Sequence, residues 1–137
     1  MAVDIVGLSA HIAFMEVAPP HPIGRSVVLL HGKNFCGATW QGAVRALVFA
    51  GYRVLIPDQI GFCKSSKPRG AQYGFEMLAR GVGRAHVIGH STGGMLAICF
   101  PTMFPDAIDR LVLVNPLGVK DGSEEGALYQ GRYVVGR

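Results

Sequence analysis

The pentapeptide Gly89-His90-Ser91-Thr92-Gly93 sets a nucleophilic hydroxyl between two glycines. It follows the apolar run "AHVIGH" (85–90) and opens "STGGMLAICFPTMF" (91–104), which reads as a helix. A serine at an abrupt strand-to-helix turn holds its Oγ clear of a sheet. Gly89 and Gly93 remove Cβ atoms where backbone must pass close to backbone. The helix that starts there aims its unbonded N–H groups toward the serine, so an oxyanion forming beside Ser91 meets donors. The bland alternative is a glycine-rich turn with an incidental serine. A strand before it and a helix after it weigh against that alternative.

A second constellation lies in "LLHGKNFCGATW" (29–40). An apolar strand ends at His31-Gly32, and the backbone of Lys33 or Asn34 is placed to supply another oxyanion donor. Asn34 serves equally as a cap for the helical region behind it. His31 reads as packing beneath this loop, with a role as substitute base for Ser91 as the sharper alternative. Lys33, Lys64, Lys67 and Arg69 all fall in loops. They read as solvated loop charges, against the alternative that they favour an anionic substrate.

These residues need a scaffold, and the hydrophobic pattern outlines one. "SAHIAFMEVA" (9–18) alternates as an early antiparallel strand would. "PPHPIG" (19–24) is a turn. "RSVVLLHG" (25–32), "YRVLIPD" (52–58), "AHVIGH" and Leu111–Asn115 are continuous apolar runs, suited to strands buried on both faces. Between the first two, residues 37–51 have helical spacing, with Trp40, Val44, Leu47 and Val48 on one face and Gly51 as the stop. "FEMLAR" (75–80) gives a short helix, and Pro101 is expected to end or kink the helix after Ser91. Alternating strands and helices predict a parallel sheet in an α/β fold, with helices on both faces. Sites in such sheets form at the carboxyl ends of strands, where "HGKNFCG", "PDQIGFCKSSKP" and "GHSTGG" all fall.

Composition narrows the classes. The chain has 137 residues, half of them hydrophobic and 16% charged, which fits one globular domain and excludes disorder. The net charge of +4 is scattered without a basic run, so no nucleic-acid partner is expected. No apolar run approaches the ~20 residues of a membrane helix, and the first residues lack the basic start of a leader, so the expectation is cytoplasmic with no membrane partner. Three cysteines without paired spacing read as reduced thiols with no metal site expected; Cys36 and Cys63 fall at the same sheet end, where small buried thiols are the expectation and a disulfide the alternative.

In order and spacing, "HGKNFCGATW", "PDQIGFCKSSKP", "GHSTGGML" and "RLVLVNPLG" make the sequence resemble an α/β-hydrolase-fold serine hydrolase over roughly residues 9–118. The resemblance implies Ser91 as the nucleophile and the Thr92 and Lys33 amides as the oxyanion hole. It implies Asp58 and Gly61 as shapers of the loop beside the site. It also implies hydrolysis of esters, lactones, epoxides, halides or C–C bonds with no cofactor, and the expectation here is a small-molecule carboxylic ester or lactone cleaved through an acyl-enzyme. A serine at this turn argues against dehalogenase and epoxide-hydrolase chemistry, which the resemblance associates with aspartate there.

Two departures qualify that reading. The family triad runs serine, acid, histidine, yet the given chain stops soon after "LVNP", where Asn115 offers an amide. The expectation is therefore a partial, truncated hydrolase fold. Residues 1–118 would be its amino-terminal part and 119–137 an irregular tail, without the last strands and cap. His11 and His21 precede the core, and His86 lies about 16 Å along the strand from Ser91. An oxyanion hole working without base and acid still leaves ~10³–10⁴-fold acceleration over water. The alternative is an inactive hydrolase-like domain that binds a ligand or partner. The second departure is the short helix at 75–80. Both departures would expose apolar surface, and the open edge of the 111–115 strand invites self-association unless "RYVVG" (132–136) folds back on it.

Overall fold

The computed structural model describes residues 2–5, 8–67, 83–118 and 132–136. Eight strands are present among them: β1 (Ala2–Ile5), β2 (Leu8–His11), β3 (Phe14–Val17), β4 (Ser26–Leu30), β5 (Arg53–Pro57), β6 (Ala85–His90), β7 (Ile108–Val114) and β8 (Arg132–Gly136). Two α-helices, α1 (Gln41–Phe49) and α2 (Thr92–Met103), join 3₁₀ turns at Gly37–Trp40 and Pro105–Ala107. β1 and β2 form a small antiparallel pair of their own. The other six strands make one sheet in the order β3-β5-β4-β6-β7-β8.

The four continuous apolar runs form the parallel interior. β4 pairs with β5 and β6, and β6 pairs with β7, all parallel. β3 and β8 pair antiparallel at the two edges. Side-chain alternation sorts this interior into two cores. Val27, Leu29, Val54 and Ile56 face one way and meet Trp40, Val44, Leu47 and Val48 of the α1 region. Val28, Leu30, Leu55, Val87, Leu111 and Leu113 face the other way and enclose Ala97 and Phe100 of α2. The expected helices on both faces are therefore α1 and α2. Burying a Val, Leu or Ile side chain stabilises by about 1.5–3 kcal/mol, so β4, with four such residues almost fully buried, anchors both layers.

Gly51 ends α1 as its position suggested. It takes φ +88, its N–H donates to Val48 O, and the Tyr52 N–H donates to Leu47 O. That is the paired C-terminal closure glycine makes possible.

Four expectations need correction. The early strand over 9–18 is two strands, because the chain leaves β2 at His11 and rejoins a different sheet at Phe14. Pro101 lies inside α2, which runs on to Met103 and closes with Phe104 N–H on Phe100 O. Five residues of the tail expected to be irregular form β8. The edge of β7 is not open, since Val114↔Arg132 through Arg110↔Gly136 pair along it. The short helix expected at 75–80 and Arg69 lie outside the described residues. None of the described helices is long and apolar enough to cross a membrane.

The order β5-β4-β6 sets the site. The chain leaves β4 toward β5 on one side and returns to β6 on the other. Loops from the carboxyl ends of β4 and β6 therefore depart in opposite directions and leave a crevice between them.

At the other end of β6, His86 is 9% exposed, its Nδ1 has no hydrogen-bond partner, and its ring lies 5.7 Å from that of Tyr52. Burial pushes the His86 pKa below the ordinary 6.5; Asp109 opposes this, while Arg25 and Arg110 reinforce it. The unfolded chain then takes up the proton first as pH falls. The stability contributed by neutral His86 is whole above the ordinary value and is lost as pH drops below about 6.5. Melting temperature should therefore fall between pH 7.5 and 5.5, and His86→Gln should flatten that slope. Equal slopes in both proteins would refute the assignment.

Candidate functional site

Ser91 stands at the junction of β6 and α2 with φ 55 and ψ −119. A non-glycine residue there costs on the order of 1–3 kcal/mol and persists only where its surroundings impose it. Here the Ser91 N–H donates to Val114 O at 3.0 Å, tying the turn to the end of β7. The Ser91 carbonyl accepts from Gly94, Met95 and Leu117 at 3.0, 3.2 and 3.1 Å. Its peptide groups are thus held from both sides, and the backbone has no freedom to relax.

The flanking glycines are steric requirements. A Cβ on Gly89 would lie 2.7 Å from Gly94 Cα, and one on Gly93 would lie 2.7 Å from the Leu30 carbonyl carbon. The first turn of α2 therefore touches the end of β4 backbone to backbone. The helix contributes the amides of its first turn, of which Gly94 and Met95 bond to Ser91 O. Thr92 and Gly93 lie too near the start to have a helical partner, and the positive end of the helix dipole is concentrated there. The Thr92 hydroxyl is buried and without a hydrogen-bond partner.

The β4 loop arrives at the same place. A Cβ on Gly32 would sit 3.1 Å from both Ser91 Cβ and His90 Nδ1, so the backbone at 32 runs alongside the serine. The Phe35 N–H donates to Gly32 O at 3.2 Å, closing a tight turn through Lys33 and Asn34. Asn34 takes φ 64, which asparagine tolerates better than most residues. The four described non-glycine residues with positive φ are Asn34, Cys63, Ser91 and Asn115. They follow β4, β5, β6 and β7 respectively, so backbone strain is gathered at the carboxyl end of the sheet.

His31 is fully buried and lies beneath this loop. Its Nδ1 is 2.8 Å from Gly32 O, and its Nε2 accepts the Gln59 N–H at 2.9 Å. Donating at Nδ1 and accepting at Nε2 fixes the tautomer and occupies both nitrogens. The reading as a packed histidine therefore holds, and the reading as a substitute base does not. The Gln59 side-chain amide donates to His31 O, completing a two-way clasp between the β4 and β5 loops. Asp58 adds to it: Oδ1 accepts from Gly37 N–H at 2.9 Å, at the start of the first 3₁₀ turn, and Oδ2 accepts from Lys64 N–H at 3.3 Å. Gly61, at φ +91, donates to Ser66 O and turns the same loop. His90 packs edge-on against Phe35 and Trp40, with ring centroids 6.2 and 6.5 Å away.

The cysteine expectation is overturned here. Cys36 and Cys63 form a disulfide, with Cα atoms 5.9 Å apart. Strand order brings the β4 and β5 loops side by side, within the span such a bond requires. Both sulfurs and an Asp58 oxygen lie within 4.8 Å of one another, but sulfurs bonded to each other offer no thiolate to a metal. Cys99 is exposed on α2. Lys67 is also not simply solvated, since its Nζ donates to the carbonyls of Cys63 and Ser65. The sequence reading missed Gln59 and ranked small thiols above this disulfide. The usable signal was that two of three cysteines fall in loops at the same sheet end.

A family model described as the alpha/beta hydrolase fold matches residues 25–136. An AB hydrolase superfamily protein of Bacillus subtilis is 32% identical over 123 residues, covering 82% of this chain and 42% of the relative. A 2-hydroxy-6-oxo-6-phenylhexa-2,4-dienoate hydrolase of Comamonas testosteroni is 35% identical over 109 residues, covering 70% of this chain and 38% of the relative. Among solved structures, a probable hydrolytic enzyme of Pseudomonas aeruginosa is 47% identical with a TM-score of 0.80, covering 88% of this chain and 42% of that one. The chain thus spans about two-fifths of the length of these relatives.

Gly93→Ala should destabilise the fold by roughly 2–4 kcal/mol, because a methyl group overlaps the β4 carbonyls. Gly42→Ala, on α1 with nothing within 4 Å of an added Cβ, should be neutral or stabilise by up to about 1 kcal/mol. His31→Ala should cost about 2–4 kcal/mol through a cavity and an unpaired Gln59 amide. Denaturant titration measures all three; equal effects of the two glycine substitutions would contradict the steric account.

Proposed function

The chain belongs to the alpha/beta hydrolase family, and on that premise we propose that it acts as a serine hydrolase of carboxylic esters or lactones. The observation that carries this reading is the forced backbone of Ser91 at the start of α2, with Gly32 against its Cβ. Ser91 Oγ attacks the substrate carbonyl carbon, the carbonyl π bond opens, and negative charge gathers on oxygen. The Thr92 N–H on one side and the Lys33 or Asn34 N–H on the other receive that charge. Collapse of the tetrahedral species breaks the bond to the alkoxide oxygen, which takes up, through water, the proton that Ser91 gave up and departs as the alcohol; the acyl-Ser91 ester that remains is cleaved by water. Donors fixed before reaction begins need no reorganisation as charge develops. The relatives named above include a hydrolase of an oxo-acid, which also presents a carbonyl carbon to its enzyme.

Among the described residues, no imidazole is offered to Ser91 as a base. His31 has both nitrogens committed, His90 is packed between aromatic rings, and His86 lies at the far end of β6. That observation favours a second reading, in which the domain binds a carbonyl ligand or a protein partner in the crevice without turning over. Self-association remains part of the proposal only through the outer edge of β8, since β7 is covered.

Fluorophosphonate labelling and p-nitrophenyl acetate hydrolysis separate the two readings. The hydrolase reading expects labelling at Ser91 and acceleration over water of about 10³–10⁴-fold, the level left by an oxyanion hole without base and acid. Ser91→Ala should abolish both signals. Turnover that survives the substitution removes Ser91 from the chemistry, and a folded chain that never labels favours binding alone.

A further inference from the structure

The turn through Lys33 and Asn34 is fastened differently at its base and at its tip. At the base, His31 and Gly37 are joined to Gln59 and Asp58 by hydrogen bonds. At the tip, Phe35 is tied back to Gly32 by one backbone bond, and Cys63 Sγ rests 3.4 Å from Phe35 O. Cys36 follows directly and is bonded to Cys63, 27 residues further on. The covalent bond therefore spans the two loops beside the Gly37–Asp58 hydrogen bond, with an Asp58 oxygen within 4.8 Å of both sulfurs. Both cysteines are half-buried, within reach of a small thiol, and Cys63 is held at a left-handed φ of 47.

We propose that Cys36 and Cys63 are a reversible thiol–disulfide exchange site, whose bond locks the backbone turn beside Ser91 and whose reduction releases it. The exchange partner is a low-molecular-weight thiol and its disulfide, such as glutathione. In the oxidising direction one protein thiolate attacks the small disulfide, forming a mixed disulfide and expelling a small thiolate. The second protein thiolate attacks the protein sulfur of that mixed disulfide and expels the other. Two electrons pass from the protein pair to the small disulfide, and the two protons lost by the cysteines end on the two released thiols. In the reducing direction, excess small thiol reverses both steps. Because the basal hydrogen bonds do not involve sulfur, reduction loosens the turn without dissolving the fold. The site stands on loop geometry; only its effect on labelling rests on the reading of Ser91 above.

The test equilibrates the full chain in oxidised or reduced glutathione. Iodoacetamide then counts free thiols by mass, and hydrogen exchange follows residues 32–37 and 59–67. The expected result is Cys36 and Cys63 carrying neither an alkyl nor a glutathionyl group when oxidised and both alkylated when reduced; exposed Cys99 exchanges with glutathione by itself and stays outside the count. Exchange at 32–37 should quicken several-fold on reduction, and Cys36→Ser/Cys63→Ser should match the reduced pattern in either buffer. Cys36 and Cys63 alkylated or separately glutathionylated in the oxidising buffer, or identical hydrogen exchange in both buffers, overturn the proposal. Should the double variant not fold, the two buffers applied to the natural sequence decide alone. Fluorophosphonate labelling should slow several-fold on reduction; equal rates in both states overturn the coupling. Absence of labelling in both states instead sinks the hydrolase reading and leaves thiol count and exchange to judge the site.

Discussion

At Gly93 the backbone of α2 rests on the Leu30 and His31 carbonyls, with room for a hydrogen atom and nothing larger. That contact fixes how close a helix can start to a strand it does not continue. It sets the height of Ser91 above the sheet, and it brings the β4 loop against the serine rather than a side chain's width away. The strained φ at Ser91 follows from it, since the chain must reverse within one residue between β6 and a helix already docked on β4. A longer turn would relieve the strain and would also carry the hydroxyl away from the helix-end amides.

A second set of contacts does for the loops what this one does for the helix. His31, Asp58 and Gln59 come from the ends of two neighbouring strands and exchange bonds with each other's backbone. His31 and Gln59 are buried polar groups with hydrogen-bond partners, which is the condition on which buried polarity stabilises. The result is a pair of loops positioned by the sheet beneath them. The disulfide adds a covalent constraint between the same two loops, beside the Asp58 carboxylate.

Much of this was legible from residue order. The four buried strands, both described helices, the role of Gly51 and the location of the Ser91 turn all follow from periodicity and glycine placement. These are local signals. What escaped was non-local. One early alternating stretch served two different sheets, which alternation alone cannot distinguish. Pro101 sits two residues before the end of α2, where the surrounding packing outweighs its missing donor. Cys36 and Cys63 become neighbours only through the strand order β5-β4. The engagement of His31 Nε2 depends on a backbone amide 28 residues away.

The order of strands has a further consequence for how the chain reaches this state. β4 is the most buried strand, yet its two neighbours are made from later sequence. Arg53–Leu55 covers one side, and Ala85–Gly89 covers the other only after roughly sixty more residues have been synthesised, a long loop to close. Until then an unpaired run of Val and Leu presents a bare template to any extended peptide nearby, including another nascent copy. Chain growth therefore passes through an interval in which one side of β4 is open to pairing with other extended chain, and the strand order sets the length of that interval.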